Sequence, residues 1–309
     1  MAICSPLFLD KCSLTVPVAR EDWDVTTENL VHARHRNSSL KPVFISSSTR
    51  RKIYEFSWKF YIDGVEGKVA CLLQVYPLYT PNAPYMRLEW NPSKSAPSAI
   101  NEIFNFLAIH IPNLANYWRD ARLSRIDIAI DVHRISMDEL LTCTKSSRTT
   151  LRILRQNEGR KNGLYLGARS SNYQLCIYDK IFERRKKSRA AFTRGSDRMK
   201  YIPISKIRIE FRFKDLGFIR DISSFENQLL RYIISLTSLA YNFSQTISWK
   251  TFIERCEEVG AQEALREISC RKKRAQYRNI LSLRCTPNWY NPRVLWGMAL
   301  ERMHNTFRL

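Results

Sequence analysis

Three short segments present one reactive side chain each among β-branched neighbours: RIDIAID at 125–131, CIYDK at 176–180 and RIEFRF at 208–213. The side chains are Asp127, Tyr178 and Glu210. A phenol that attacks phosphorus stores the energy of the broken ester in a phosphotyrosine bond, ready for later rejoining. It needs help, because a free phenol ionises at about pH 10. A divalent metal held by Asp127 and Glu210 would polarise the phosphate, and Lys180 would steady the phenolate or the oxyanion. Against this stands the plain alternative of a strand tyrosine whose ring fills the core.

The two carboxylates carry the same ambiguity. Alternation along a strand puts Asp127 and Asp131 on one face with Ala129, opposite Ile126, Ile128 and Ile130, and it puts Arg208, Glu210 and Arg212 together in the later segment. A half-buried carboxylate needs a partner, since an unpaired buried charge is expensive. That partner is either a cation or an arginine, Arg125, Arg208 or Arg212, in a salt bridge across strands. Oxygen-only ligands favour Mg²⁺ or Mn²⁺ over zinc. The eight cysteines are scattered, with no CxxC pair and no close Cys/His cluster, and no His-hydrophobe-His motif is present.

The elements that would position these groups read as two similar rounds. KIYEFSWKFYIDG and KVACLLQVYPL form a hairpin, MRLEWNP a further strand, and SAINEIFNFLAIHIPNL an amphipathic helix lying over the sheet. RLSRIDIAIDV then forms a strand and SMDELLTCT begins a helix, with Ser136 as cap and Glu139 closing a capping box. GLYLGARSSNYQLCIYDK is a hairpin turned at ARSSN, KIRIEFRFKD a strand, and SSFENQLLRYIISL a helical stretch. Residues 19–48 read as a loop with one helical turn. Setting LLQVYP beside QLCIYDK, and MRLEWNPSK beside IRIEFRFKD, pairs Tyr76 with Tyr178 and Glu89 with Glu210. From Ile247 the pattern is helical with a break at Gly260, and it carries RKKRAQYR, read as packing on the sheet in preference to a DNA-reading module.

Composition narrows the partner. The 309 residues are 44% hydrophobic, enough for a genuine core, and their net charge of +21 makes a field that gathers polyanions. Nucleic acid is the first partner expected. The run from Lys180 to Lys214 includes Arg184, Arg185, Lys186 and Lys187, and reads as a loop beside Tyr178 that grips backbone phosphates; a nuclear-localisation patch is its alternative. A signal peptide and a membrane-spanning run are both absent from the pattern, which places the chain in the cytoplasm.

These residues resemble a known family. LYLGARSSNYQLCIYDKIFE is similar to the motif of plasmid rolling-circle replication initiators, the Rep_trans or replication initiation factor group, with Gly167, Arg169, Ser170, Tyr178, Asp179, Lys180 and Glu183 matching in order. MRLEWNPSK and LSRIDIAID resemble segments of the gene II replication proteins of filamentous phages. Cys176 and Ala168 depart from the plasmid pattern, where an arginine and a serine stand. The resemblance implies that Tyr178 nicks an origin and holds the 5′ phosphate, freeing a 3′ hydroxyl primer. It implies a metal at Asp127 and Glu210, with Asp131, Glu183 and Glu89 as further ligands or a base. Lys180 and Glu183 join Tyr178 as catalytic candidates, while Arg169, Arg208 and Arg212 join the basic run as DNA contacts.

The expected fold is α+β, an antiparallel sheet with helices on one face, in two pseudo-repeated halves at 50–117 and 121–240. A nicking domain at 1–245 is followed by a helical C-terminal segment at 246–309. The expected partners are origin DNA, as a hairpin or a single-stranded nick site, and a host helicase and polymerase, in the cytoplasm of a bacterial host. Monomer and homodimer stay open, as do a non-catalytic DNA clamp and a metal nuclease that uses water.

Overall fold

The computed structural model describes residues 3–36, 40–42, 54–61, 69–77, 85–146, 148–155, 160–183 and 205–307. In chain order, β1 (Ile3–Cys4) and β2 (Phe8–Pro17) lead to α1 (Arg20–Arg36), then β3 (Leu40–Pro42), β4 (Tyr54–Tyr61), β5 (Val69–Pro77) and β6 (Tyr85–Trp90). Two helices follow, α2 (Pro97–His110) and α3 (Leu114–Arg119). The second half opens with β7 (Arg122–His133), β8 (Leu140–Thr144), β9 (Leu151–Arg155), β10 (Lys161–Leu166), β11 (Tyr173–Asp179), β12 (Lys206–Phe218) and β13 (Tyr232–Leu236). It closes with α4 (Thr237–Phe243), α5 (Ile247–Val259), α6 (Ala261–Glu267), α7 (Arg271–Arg284) and α8 (Pro292–Phe307). Among the described residues no helix is long and apolar enough to cross a membrane.

The chain divides into two compact units, and three of the five divisions fall inside β7, β12 and α8. One comprises Phe8–Ile128, Phe213–Phe225 and Ala299–Leu309. Its strands run β3-β4-β5-β6-β2-β7, antiparallel from β3 through β2, with Cys12 opposite Trp90 and Leu14 opposite Leu88. The alternating burial of β6 sends Met86, Leu88 and Trp90 inward. Trp90, Phe104 and Trp118 then meet edge to face, with centroids 5.9 and 4.9 Å apart, which fixes α2 and α3 on this core.

The other unit comprises Met1–Leu7, Ala129–Arg212 and Glu226–Met298. Here the strand order is β7-β12-β11-β10-β9, and β8 pairs separately with β13. Ile207, Ile209 and Phe211 of β12 and Leu175 and Ile177 of β11 are buried. Helices α4 to α7 build a second apolar cluster around Trp249, Phe252, Ile253, Leu265, Tyr277 and Leu281. Gly260 makes the break between α5 and α6 at φ 90°, where a Cβ would come within 2.5 Å of Leu151.

Mixed α+β architecture on antiparallel sheets is as expected, and so are the β4–β5 and β10–β11 hairpins, α2 and the helical run from Ile247. Three local expectations fail. Residues 20–36 form a full helix, because Trp23, Thr26, Leu30 and Ala33 make a buried stripe at helical spacing and Glu21 and Asp22 sit in the first turn. The Ser136 capping box does form, with the Ser136 amide donating to Glu139 at 2.7 Å, yet it closes only a 3₁₀ turn over Met137–Glu139. LLTCT then runs on as β8. Likewise SSFENQLLRYIISL is two 3₁₀ turns, Ile219–Ser224 and Gln228–Arg231, followed by β13. The last two errors share one cause, since β8 and β13 pair with each other and that tertiary pairing overrides local helical signals.

Candidate active site on the β11–β12 face

Strand alternation assembles the site within the second of these units. Gln174, Cys176 and Tyr178 lie on one face of β11, and Arg208, Glu210 and Arg212 lie on one face of its neighbour β12. The phenol of Tyr178 donates to Glu210 Oε2 at 3.1 Å. Arg212 Nε donates to the other oxygen, Oε1, at 2.6 Å, and its second nitrogen donates to Gln174 Oε1 at 3.3 Å. Gln174 in turn donates to the Gly167 carbonyl at 3.0 Å. A continuous chain of hydrogen bonds therefore runs from the hairpin turn at Gly167 to the tyrosine. Gln174 escaped the sequence reading, although its position four residues before Tyr178 on a strand puts it on the same face.

The electrostatics around Tyr178 keep its proton on. Burial pushes the phenol well above its ordinary range, and the charge of Glu210 adds to that, while Arg208 pulls in the other direction. Glu210 is itself only 3% exposed, and its two oxygens accept from Arg212 and the phenol. Lys180 Nζ stands 5.4 Å from the centroid of the Tyr178 ring and pairs with Glu183 at 2.5 Å. Both belong to a helical turn that starts as β11 ends, where Asp179 Oδ1 accepts from the amides of Ile181 and Phe182 at 2.8 and 3.0 Å. Tyr178, Lys180, Glu183 and Glu210 thus come together.

Other expected residues occupy different surroundings. Asp131 accepts from Arg208 at 2.7 and 3.1 Å and pairs with Lys206 at 2.8 Å. Burial pulls its carboxyl up, but those hydrogen bonds and charges outweigh it and hold the group below the usual range. Asp127 lies in the other unit, 2% exposed, and accepts from Arg125 at 2.9 and 2.6 Å. Glu89, in that unit too, pairs with Lys11 and Arg87 at 2.5 and 2.7 Å. Arg169 is exposed in the β10–β11 turn, at the end of the hairpin remote from Tyr178. The five steps from Tyr173 to Tyr178 span roughly 17 Å of strand. Arg184, Arg185, Lys186 and Lys187 lie outside the described residues.

Among the described residues, no group of three or more His, Cys, Asp or Glu side chains is placed to hold a metal ion. Each expected ligand accepts from a cationic side chain instead, so the donor set as arranged does not fit an oxygen cage for Mg²⁺ or Mn²⁺. Arg208 reaches Asp131 across strands, as the salt-bridge alternative expects, whereas Arg125 with Asp127 and Arg212 with Glu210 bridge within a single strand. Seven of the eight cysteines are buried or half-buried free thiols, and only Cys270 is exposed.

The chain is thus an α+β protein that sets a tyrosine against a carboxylate on adjacent strands. Within it, residues 92–232 match the Phage_CRI family model, which describes the N-terminal part of a phage replication-associated protein, and that span includes Asp127, Tyr178 and Glu210. The chain is also similar to a rolling circle replication initiator protein from Geobacillus stearothermophilus, at 14% identity and a TM-score of 0.40, over 82% of this chain and 97% of that one. No curated protein matches it.

Proposed function

We propose that this chain initiates rolling-circle DNA replication by nicking one strand of a plasmid or phage origin, with Tyr178 as the nucleophile. The observation that carries the reading is the 3.1 Å hydrogen bond from the Tyr178 phenol to Glu210, inside the span that matches the replication-associated family. Glu210 takes the phenolic proton as the tyrosyl oxygen forms its bond to phosphorus and the bond from phosphorus to the 3′ oxygen breaks. The leaving oxygen collects a proton from water and becomes the 3′ hydroxyl primer. The 5′ phosphate stays on Tyr178, and the reverse attack by a 3′ hydroxyl closes the strand.

Charge on the phosphate falls to nearby cations. Lys180, beside the ring, stabilises negative charge as it grows, and Arg212, donating to Glu210, orients that carboxylate toward the phenol. Origin DNA, as a hairpin or a melted nick site, is the substrate that suits a chain of net charge +21. Host helicase and polymerase would act on the primed strand.

The test is to incubate the protein with supercoiled origin plasmid. Nicked circles together with a protein band carrying labelled DNA support the proposal. Nicking without the covalent band points to a water-using nuclease, and binding without nicking to a clamp. Run with Mg²⁺, with Mn²⁺ and with EDTA, the same assay measures the cation dependence that the family resemblance implies.

A further inference from the structure

Helices α5, α6 and α7 pack into the same apolar cluster, and their charge is strongly sorted. Together α5 and α6 carry five glutamates against three cations, Lys250, Arg255 and Arg266. By contrast α7 carries six cations, Arg271, Lys272, Lys273, Arg274, Arg278 and Arg284, and no acid. Its first turn is entirely basic. Cations are disfavoured there by the helix dipole, so the arrangement is not one that helix stability selects.

The packing explains which face α7 turns outward. Tyr277 and Leu281 are buried, and the Tyr277 ring meets Trp249 and Phe252 of α5 at centroid distances of 5.0 and 4.8 Å. Opposite them, Lys272, Gln276, Asn279 and Leu283 are all exposed, at the i, i+4, i+7, i+11 spacing of a single stripe. Leu283 is 76% exposed. The turn between α6 and α7 is three residues long, Ile268 to Cys270, and is clamped by Arg274, which donates to the Ile268 carbonyl at 3.0 and 2.6 Å. A short helix, a three-residue turn and a longer basic helix packed by its inner face have the layout of a helix-turn-helix.

We propose that α5, α6 and α7 are a duplex-reading module that lays α7 in the major groove of DNA. Gln276 and Asn279 face base edges, which amide side chains read best at adenine, while Arg271 and Lys272 take flanking phosphates. Fourteen residues of helix are about 21 Å long, ample for a groove about 12 Å wide. The partner is double-stranded DNA, chosen over single strands because the exposed stripe holds a lysine, two amides and a leucine, and no aromatic ring for stacking unpaired bases. This deepens the proposed function, on which it rests for the kind of polymer, by giving the chain a second DNA surface that selects a site without cutting it.

The test uses the full chain and a pool of random 30-base-pair duplexes, carried through repeated rounds of binding and amplification. A consensus should emerge. Gln276→Ala/Asn279→Ala should then bind the selected duplex about a hundredfold more weakly while binding a scrambled duplex as before, because only base contacts are lost. Arg271→Ala/Lys272→Ala should weaken both duplexes alike and reduce the salt slope by about two. All four side chains are exposed, so unchanged thermal unfolding of each variant checks the fold. Failure to select any consensus, wild-type affinity in the amide variant, or preference of this stripe for single strands or RNA would each overturn the proposal. Tyr178→Phe separates the two claims: it should keep duplex selection while losing nicking. Nicking without duplex selection therefore sinks this inference alone, and duplex selection without nicking sinks only the chemistry.

Discussion

Replacing Glu210 by Gln tests the link between the site's geometry and its chemistry. The amide keeps the shape of the side chain and still accepts from Arg212, but it cannot take a proton from Tyr178, now 3.1 Å away. That distance is within the reach required of a general base, whose removal costs about 10²–10⁴-fold in rate. Single-turnover cleavage of a labelled single-stranded origin oligonucleotide should slow by that factor, with oligonucleotide affinity little changed. Stability should fall by about 1–2 kcal/mol, as a hydrogen bond to a buried charge becomes one between neutral groups. The pH profile supplies an independent check. Burial alone would still hold the phenol's pKa above its ordinary value, but the added contribution of Glu210's charge would be gone. With no base to help, the residual rate should climb about tenfold per pH unit in the alkaline range below the phenol's own ionisation, following the phenolate fraction. Wild-type cleavage rates in Glu210→Gln, in a folded protein, would refute the assignment.

Other consequences follow from the ion pairs and turns. Arg208→Ala strips the bidentate partner from buried Asp131 and should destabilise by about 3 kcal/mol, the low end for a broken buried pair because Lys206 remains; adding Asp131→Asn should restore part of the loss in denaturant unfolding. Because the Asp131 carboxyl is held below its usual range in the folded state, its contribution is full above the unfolded value of about 3.9 and lost as pH falls through the folded one. Asp131→Asn should accordingly flatten the acid limb of stability against pH. Gly167→Ala forces a side chain into φ 96°, with its Cβ 2.5 Å from the Tyr173 carbonyl, and should cost more than about 2 kcal/mol in thermal or denaturant unfolding while loosening the hairpin that orients Gln174.

Much of this site could be read from the chain because its residues lie within strands whose alternation is plain. The spacing 208, 210, 212 assigned one face to two arginines and a glutamate, and the Ile and Phe residues between them are buried as that alternation requires. What alternation cannot supply is the partner across the sheet. Arg208 bonds to Asp131 on β7, whereas Arg212 bonds to Glu210 two residues before it on its own strand, and no local rule separates those choices. Nor does a motif keep its residues together: Arg169 and Tyr178 are nine residues apart in sequence but at opposite ends of a hairpin. The missed helix α1 failed for a different reason, as its polar composition masks a buried stripe that contains a threonine and an alanine. Strands β8 and β13 were hidden because each is stabilised by the other, across nearly ninety residues of chain. The strand order β4-β5-β6-β2 in one unit parallels β10-β11-β12-β7 in the other, and we propose that a duplication of one sheet motif produced both.

Tyr178 as the nucleophile is tested by mass spectrometry of the protein after reaction with a 3′-labelled origin oligonucleotide that spans the nick site. Nucleophilic attack by Tyr178 should leave a tryptic peptide carrying the 5′-phosphoryl fragment on that residue, and no adduct with Tyr178→Phe. An adduct on another residue, or cleavage by Tyr178→Phe at the wild-type rate, would contradict it.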